Sequence, residues 1–286
     1  MPIAPEPSRL AFQKIERALL KLSSVRDAES VHNFRTTSRR LQTLLEEVAP
    51  VRGRSHKKLL RMLDRIRKRA GKVRDIDVQL AALRSLKVPQ EPRRKTQLMQ
   101  GLIELRAKHD KKLRKMLNKQ AIRDIQKPLK RAAKRMKSGA GRDALAAARS
   151  MVARVVGRAG LVTEDVLHQY RVVVKRARYA AEFAPKSAEA AQFIADMKRL
   201  QDAVGNWHDW LTLTHTAVKR IGDVNQSSLV AALHHVTGAK FRRAVAALSA
   251  SPTIQRVPKP MSVDSAQPRK PGTKSPVPME QTESAA

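Results

Sequence analysis

The sequence contains no cysteine and few aromatic residues, and both scarcities limit what the protein can do. Without cysteine among its 286 residues, the chain has no disulfides, no thiolate metal sites and no cysteine nucleophile. Aromatic residues make up only 3%, so few side chains are available to stack on unpaired nucleic-acid bases. No stretch approaches the roughly 18 apolar residues that a membrane-spanning helix needs, and residues 1–7 lack the apolar core of a signal peptide. We therefore expect a soluble, cytoplasmic protein with no membrane partner.

Acidic residues are also scarce, since 25 Asp and Glu stand against 59 Lys and Arg, giving a formal net charge of +34. Charge of this size opposes the compact state by self-repulsion unless a polyanion offsets it, which indicates a polyanionic partner. Nucleic acid would bind such a chain at low salt whatever its biological ligand. Residues 1–138 carry 38 basic and 13 acidic side chains, whereas residues 139–249 carry 16 and 9. We expect the first part to contribute more of the polyanion surface.

The abundant residues favour helix. Leu, Ala, Arg, Lys and Gln dominate, and apolar residues recur at helical spacing rather than in alternating runs, which predicts an all-α protein. Asp27 or Ser30 caps the second predicted helix, and Pro50 ends it. Residues 1–7 and the Pro-rich residues 250–286 are predicted to be disordered. The other predicted helices cover residues 8–23, 55–86, 93–118 and 122–136, or begin near Arg142, Thr163, Ser187, Asn206 and Asn225, the last ending near Leu248.

One pattern of charged residues occurs twice. It reads apolar-His-x-x-Arg-x-x-x-basic-basic, and its two copies are His32, Arg35, Arg39 and Arg40, then His168, Arg171, Lys175 and Arg176. In a helix, offsets of zero, three and seven residues fall on one face. A second pair of similar segments, residues 70–78 and 204–212, follows in the same order. The repeat predicts two related halves, about 8–138 and 139–249, with a break at 137–141.

The two basic stripes allow a bland and a functional interpretation. Charged residues on a helix usually form a solvated face, which needs no ligand. Solvation gives no reason, however, for His and paired basic residues to repeat at fixed spacing. Arg guanidinium groups grip phosphate oxygens bidentately and Lys supplies a compact charge. The repeated stripes therefore indicate anion binding.

Histidine and aspartate in the motifs leave other chemistry open. His32 and His168 are candidate metal ligands, but a zinc site needs three or four ligands, and helix packing or hydrogen bonding to phosphate is the favoured interpretation. Asp75 and Asp209 are expected to orient Arg or His side chains, and the alternative is an acidic catalytic or metal-binding pair. No Gly-rich phosphate loop or nucleophile motif accompanies them. We expect no enzyme activity, no metal and no cofactor.

The motifs resemble those of the conserved histidine α-helical domain family, known as CHAD. Four segments carry the resemblance, residues 32–41, 71–78, 168–179 and 200–209, and it spans roughly residues 8–249. It implies two pseudo-symmetric antiparallel helical bundles that form one CHAD unit with a basic central cleft or pore. It also implies binding of inorganic polyphosphate and association with polyphosphate granules.

The resemblance further implies which residues face the anion. The implied polyphosphate-binding residues are His32, Arg35, Arg39, Arg40, His168, Arg171, Lys175, Arg176 and Arg178, with Arg65, Lys68, Lys72, Lys198 and Arg199 as further candidates and Asp75 and Asp209 in support. The expected function is noncatalytic binding of inorganic polyphosphate. A nucleic-acid-associated basic protein is the first alternative, and a phosphohydrolase or metalloprotein is the second.

Overall fold

The computed structural model describes residues 5–50, 53–88, 90–136, 142–156, 162–222 and 224–256. Within these ranges the regular elements are helical and none is a strand, which confirms the predicted all-α fold. Across the same ranges, no helix combines the length and the apolar content needed to cross a membrane. The α-helices are α1 (Pro5–Ser24), α2 (Ala28–Thr43), α3 (Arg54–Ser85), α4 (Pro92–Met116), α5 (Lys119–Arg135), α6 (Ala144–Val156), α7 (Glu164–Ala181), α8 (Ala188–Ile221), α9 (Ser228–Ser249) and α10 (Pro252–Gln255). A π-helical turn, Leu44–Val48, extends α2, and a 3₁₀ turn, Val224–Gln226, precedes α9.

The apolar faces of α2 and α7 determine where the charged stripes point. α2 buries Val31, Phe34 and Leu41, and α7 buries Leu167 and Val174 in the same way. Burial of each large apolar side chain contributes roughly 1.5–3 kcal/mol, so these faces are firmly fixed against the core. The basic residues of both helices are left on the opposite side.

Side chains at the helix starts satisfy amides that have no partner inside the helix. Asp27 accepts a hydrogen bond from the Ser30 amide at 2.6 Å and caps α2. Of the two caps predicted for this helix, Asp27 is the one found. Thr163 and Ser187 cap α7 and α8 in the same manner, at positions where the sequence predicts helices to begin.

α8 differs from the prediction because it runs unbroken through Asn206, where the sequence predicts a new helix to begin. A glycine inside a helix costs about 1 kcal/mol relative to alanine, and Gly205 suggests a boundary for this reason. Val204 and Trp207 are both buried on either side of it. Their packing continues the apolar face and offsets the weak propensity.

α1 begins earlier than predicted. Pro5 and Pro7 lie in its first turns, although residues 1–7 are predicted to be disordered. Proline fits the start of a helix because the amides there have no partner within it. Residues 1–4, like the predicted break at 137–141, lie outside the described residues.

The last helix lies inside the predicted tail of residues 250–286. α10 is held by the buried Asp196, whose Oδ2 accepts hydrogen bonds from Ser251 Oγ at 2.7 Å and from the Thr253 amide at 3.1 Å. The predicted start of the tail is therefore too early. Residues 257–286 lie outside the described residues.

The helices pack in the same order in the two halves. α1 contacts α2, α2 contacts α3 and α3 contacts α4, and the series α6, α7, α8 and α9 follows the same order. The halves meet where α2 packs against α7 and α3 against α8, while α5 lies on α1 and α3. The pseudo-symmetric relation of the halves, and their boundaries, stay predictions.

One continuous hydrophobic core joins both halves. Its fully buried side chains include Ile15, Phe34 and Leu63 from the first half and Met197 and Trp207 from the second. A smaller cluster, between the C-terminal parts of α3 and α8, α4 and α9, also takes residues from both halves. The two bundles therefore form one unit, with the central helices fixed relative to one another.

Candidate functional site

The four central helices surround a half-open cavity of about 190 Å³, which is termed the basin. α2 and α3 form one side, and α7 and α8 form the other. An inner recess of about 200 Å³ continues from the basin towards Gln79, His208 and Thr212. The basin itself is lined by His32, Arg35, Thr36, Arg39, Arg74, Asp75, Val78, Arg171, Lys175, Arg178, Tyr179, Gln201 and Asp209.

The basin is strongly basic, because six of its lining side chains are Arg or Lys and two are carboxylates. The first half supplies Arg35, Arg39 and Arg74, and the second supplies Arg171, Lys175 and Arg178. Each half therefore supplies three of the six, and the basic excess of residues 1–138 is not found in the basin. The additional basic residues of this part of the chain lie on exposed faces, many of them on α4 and α5.

In the first copy of the motif, Arg35 is held in place. Its Nη1 donates to the backbone oxygen of Gly71 at 3.1 Å and to Asp75 Oδ1 at 3.0 Å. A Cβ atom at position 71 would lie 3.7 Å from the guanidinium carbon, which is an ordinary van der Waals distance, so Arg35 crosses α3 close to the backbone at Gly71. Asp75 thus orients Arg35 and neutralises part of its charge.

In the second copy, the corresponding Arg171 is less constrained. Its Nε is buried and has no hydrogen-bond partner among the described residues. Burial lowers the pKa of Arg171, and the nearby Asp209 and Asp75 offset this effect in part. Burial likewise raises the pKa of Asp209, against the attraction of Arg171 and Lys175. Arg171 therefore lines the basin without the close ion pair that holds Arg35.

Arg39 and Lys175 occupy corresponding positions and are the most perturbed cations of the basin. Burial, followed by repulsion from Arg35 and Arg67, lowers the pKa of Arg39 to about 10. Burial, followed by repulsion from Arg171 and Arg39, lowers the pKa of Lys175 to about 7. The side chains that line the basin therefore provide too little negative charge to compensate these two groups. A bound anion would supply it.

The two motif histidines have different surroundings. His32 lies exposed at the rim of the basin, and desolvation followed by the charges of Arg74 and Arg35 lowers its pKa. His168 does not line the basin, and its ring centroid lies 5.3 Å from that of His208. Burial and the charge of nearby Arg171 lower the pKa of His208 to about 4. The neutral imidazoles of His32 and His208 each offer one donor and one acceptor.

Three predicted binding residues point to glutamates beside the basin. Glu182 accepts from Arg40 Nε at 2.7 Å and from Arg178 Nη1 at 2.7 Å, and the guanidinium carbons of Arg40 and Arg178 lie 5.3 and 4.8 Å from the centroid of the Tyr179 ring. Arg176 pairs with Glu47. This region, termed the glutamate edge, comprises Arg40, Arg176, Arg178, Glu46, Glu47 and Glu182. Arg178 alone belongs to both regions, because its Nε donates to Gln201 in the basin at 3.0 Å.

The further candidates on adjoining helices do not reach the basin. Arg65 and Lys72 are exposed elsewhere on α3. Lys68, Lys198 and Arg199 are also exposed, and their nearest carboxylates are Asp64 at 2.9 Å, Asp202 at 3.4 Å and Asp196 at 3.2 Å respectively. Their placement makes them part of the general surface charge.

Several basin residues are absent from the predicted set. Arg74, Tyr179 and Gln201 all line the basin, and all three fall within the motif segments that carry the family resemblance. Arg74 precedes Asp75 directly, so the sequence held the signal for it. Thr36 and His208, which line the basin and its recess, had weaker signals because neither repeats as the same residue type.

Within the described ranges, no three His, Asp or Glu side chains are grouped so as to hold a metal ion. A separate cavity of about 530 Å³ lies between α6, α8 and α10. Two of its cations are already paired, Arg149 with Glu189 at 2.5 Å and Arg199 with Asp196 at 3.2 Å. Its lining has one more cation than carboxylates, whereas the lining of the basin has four more.

The fold and the site define an all-α protein whose central helices line a basic basin. The family model of the CHAD domain matches residues 9–218, which is most of the chain. The chain belongs to the CHAD family, and the predicted membership is confirmed.

The fold has a counterpart among solved structures. The chain is similar to the crystal structure of the CHAD domain from the plant Ricinus communis, with a TM-score of 0.62 at 17% sequence identity. The match covers 90% of this chain and 91% of that one. At this identity the likeness shows the fold alone. No curated protein matches the sequence.

Proposed function

We propose that the protein binds inorganic polyphosphate in the basin, without turning it over. The observation that carries the proposal is the convergence of six Arg and Lys side chains from both halves on one small cavity with two carboxylates. Arg39, Arg171 and Lys175 have lowered pKa values because burial and like charges disfavour their charged forms. A polyanion between the two sides would relieve this repulsion.

The dimensions of the basin favour a narrow chain of phosphates. A cavity of about 190 Å³ is too small for a DNA duplex, whose major groove alone, about 12 Å wide, admits a whole α-helix. The lining presents guanidinium forks, which suit phosphate oxygens, and a single aromatic side chain, Tyr179, which is buried. Contacts of this kind read charge and not bases, as a polymer without bases requires.

Binding without turnover and retention at polyphosphate granules are parts of the same proposal. The basin cations hold phosphate by charge and hydrogen bonds, and a chain that holds polyphosphate would accumulate wherever the polymer does. Incubation with long-chain polyphosphate should release no orthophosphate above the blank, with or without added divalent metal. Sustained release would overturn the noncatalytic part of the proposal.

The decisive test removes charge from the basin. The basin variant combines Arg39→Gln, Arg171→Gln and Lys175→Gln, and its matched control combines Arg65→Gln, Lys72→Gln and Arg199→Gln, which remove the same charge from exposed positions. Each lost charge-assisted hydrogen bond costs about 1.5–3 kcal/mol. Three such losses together cost at least about 4.5 kcal/mol. We therefore expect the basin variant to bind long-chain polyphosphate on the order of a thousandfold more weakly near physiological salt, and the control to change by about threefold or less.

Equal losses in the two variants would mean that general surface charge binds the polymer and would contradict the basin assignment. Circular dichroism and thermal melts establish that both variants are folded. Excess duplex DNA, added to the wild-type complex, should leave polyphosphate bound. Displacement by DNA at equal charge concentration would favour the nucleic-acid alternative for the basin.

A further inference from the structure

A second basic surface lies on α5. Five exposed cations follow one another along this helix, three or four residues apart. At 100° and 1.5 Å per residue they fall within an arc of about 80° and extend over about 22 Å. These residues, termed the α5 stripe, are Lys119, Arg123, Lys127, Lys130 and Lys134.

The α5 stripe is barely neutralised. Lys130 Nζ lies 3.8 Å from Glu16 on α1, and among the described residues this is the stripe's one ion pair. Asp124, the exposed carboxylate on α5, lies off the arc and accepts a hydrogen bond from Gln120 at 2.8 Å. The arrangement contrasts with the glutamate edge, where each cation has a carboxylate partner.

The α5 stripe is also separate from the basin. α5 packs on α1 and α3 through Ile122, Ile125 and Leu129, which are buried on the side away from the stripe. No residue of α5 lines the basin or its recess. A ligand on this surface therefore need not exclude a ligand in the basin.

The shape of the surface indicates what binds there. The stripe is a ridge on one helix, open to solvent, so it provides no walls that would order a flexible chain. A duplex is already rigid and presents a negative charge every 1.7 Å or so along its axis, so it can meet several cations of a 22 Å ridge at once. α4 and α5 contain no Phe, Tyr or Trp, and single strands are usually held by stacking on such rings.

We propose that the α5 stripe binds duplex DNA through its phosphates, without reading the base sequence. Lys and Arg side chains would contact phosphate oxygens and displace condensed counterions, which makes the affinity steeply dependent on salt. This inference does not depend on the ligand of the basin. The further idea that one chain joins polyphosphate to DNA also rests on the proposed function.

The test compares three variants of the full chain by fluorescence anisotropy with a labelled duplex over a range of salt concentrations. The stripe variant combines Arg123→Gln, Lys127→Gln and Lys134→Gln. Its matched control combines Lys186→Gln, Lys219→Gln and Arg243→Gln, which remove the same numbers of exposed Lys and Arg from the other half. The third is the basin variant, and polyphosphate affinity is measured for all of them.

Loss of three phosphate contacts should lower the slope of log K against log salt by about 2–3. We expect this change in the stripe variant, a change below about 1 in the control, and wild-type DNA binding in the basin variant. Equal losses of DNA binding in the stripe variant and its control would overturn the inference. Loss of DNA binding in the basin variant would also overturn it, as would a stripe variant that loses as much polyphosphate affinity as DNA affinity. Failure of the proposed function is read separately, as unchanged polyphosphate affinity in the basin variant.

Discussion

The basin and the glutamate edge place neighbouring residues of one motif in opposite surroundings. Arg39 and Lys175 line the basin, where burial and like charges lower their pKa values. Arg40 and Arg176, one residue later, pair with glutamates. One residue rotates a helix by 100°, so adjacent basic residues serve different ends. Glutamates neutralise Arg40 and Arg176, whereas the buried charges of Arg39 and Lys175 disfavour the folded state.

Replacing the buried lysine should produce the largest effect. The folded-state pKa of Lys175 is about 7, far below its unfolded value near 10.5. The unfolded chain therefore binds the proton more tightly than the folded protein. Below pH 7 the buried charge of Lys175 lowers the free energy of unfolding by its full amount, and this loss of stability disappears as the pH rises from 7 to 10.5. Lys175→Met should raise the free energy of unfolding at pH 6 by roughly 2–4 kcal/mol, as measured by urea titration, and should weaken polyphosphate binding.

The gain from Lys175→Met should shrink towards pH 10, and the exposed Lys72→Met should show neither the gain nor the pH dependence. A destabilised Lys175→Met protein would indicate that Lys175 is part of the stabilising network. The contrast between the basin and the glutamate edge would then be lost.

Two exchanges at corresponding positions should change how binding responds to pH. Above pH 7 the empty protein has lost the Lys175 proton, and a bound polyanion requires its return, so affinity falls as the pH rises. Between pH 6 and pH 8 we expect about a tenfold loss for the wild type. Lys175→Arg should flatten this profile, because guanidinium stays charged throughout. Arg39→Lys should steepen it.

Calorimetry in two buffers of different ionisation enthalpy provides an independent measurement of the same event. Wild-type binding at pH 8 should take up close to one proton, and Lys175→Arg should take up almost none. A wild-type profile as flat as that of Lys175→Arg would show that Lys175 does not change its charge on binding.

The smallest effect belongs to the glutamate edge. Glu182→Gln removes the carboxylate that accepts hydrogen bonds from Arg40 and Arg178. The ion pairs are partly exposed, so we expect a loss of about 1 kcal/mol in the free energy of unfolding, while polyphosphate affinity stays within about threefold. Glu29→Gln, at a strongly exposed site, is the control and should change neither quantity. A large loss of binding in Glu182→Gln would extend the site to the edge.

The periodicity of the sequence predicts single helices and the residues that share a face of each. It predicts the all-α class, and the offsets of zero, three and seven residues place His32, Arg35 and Arg39 on one side of α2. It cannot tell which neighbouring helix faces that side. Arg40 and Glu182 are far apart in sequence, so the motif does not predict that the Arg40 guanidinium pairs with a glutamate.

The repeat also suggests that corresponding residues of the two halves have similar surroundings, which the structure does not show. His32 and His168 correspond in sequence, yet one lies at the rim of the basin and the other against His208. Composition misleads in a different way. Residues 1–138 hold most of the excess basic charge, but they supply only half of the basic side chains that line the basin. Counting charges along a chain gives their number, and tertiary packing decides which of them converge.

The continuous core determines how a ligand enters and leaves the basin. Because one core joins both halves, a hinge that separated the two sides would have to expose part of that core to water. Under the proposed function, the binding surface is formed before the ligand arrives, so most of the ordering entropy falls on the flexible polymer. If polyphosphate is the ligand, as proposed, its internal phosphates are chemically alike, so a long chain would have many equivalent registers and would slide from one to the next without full release.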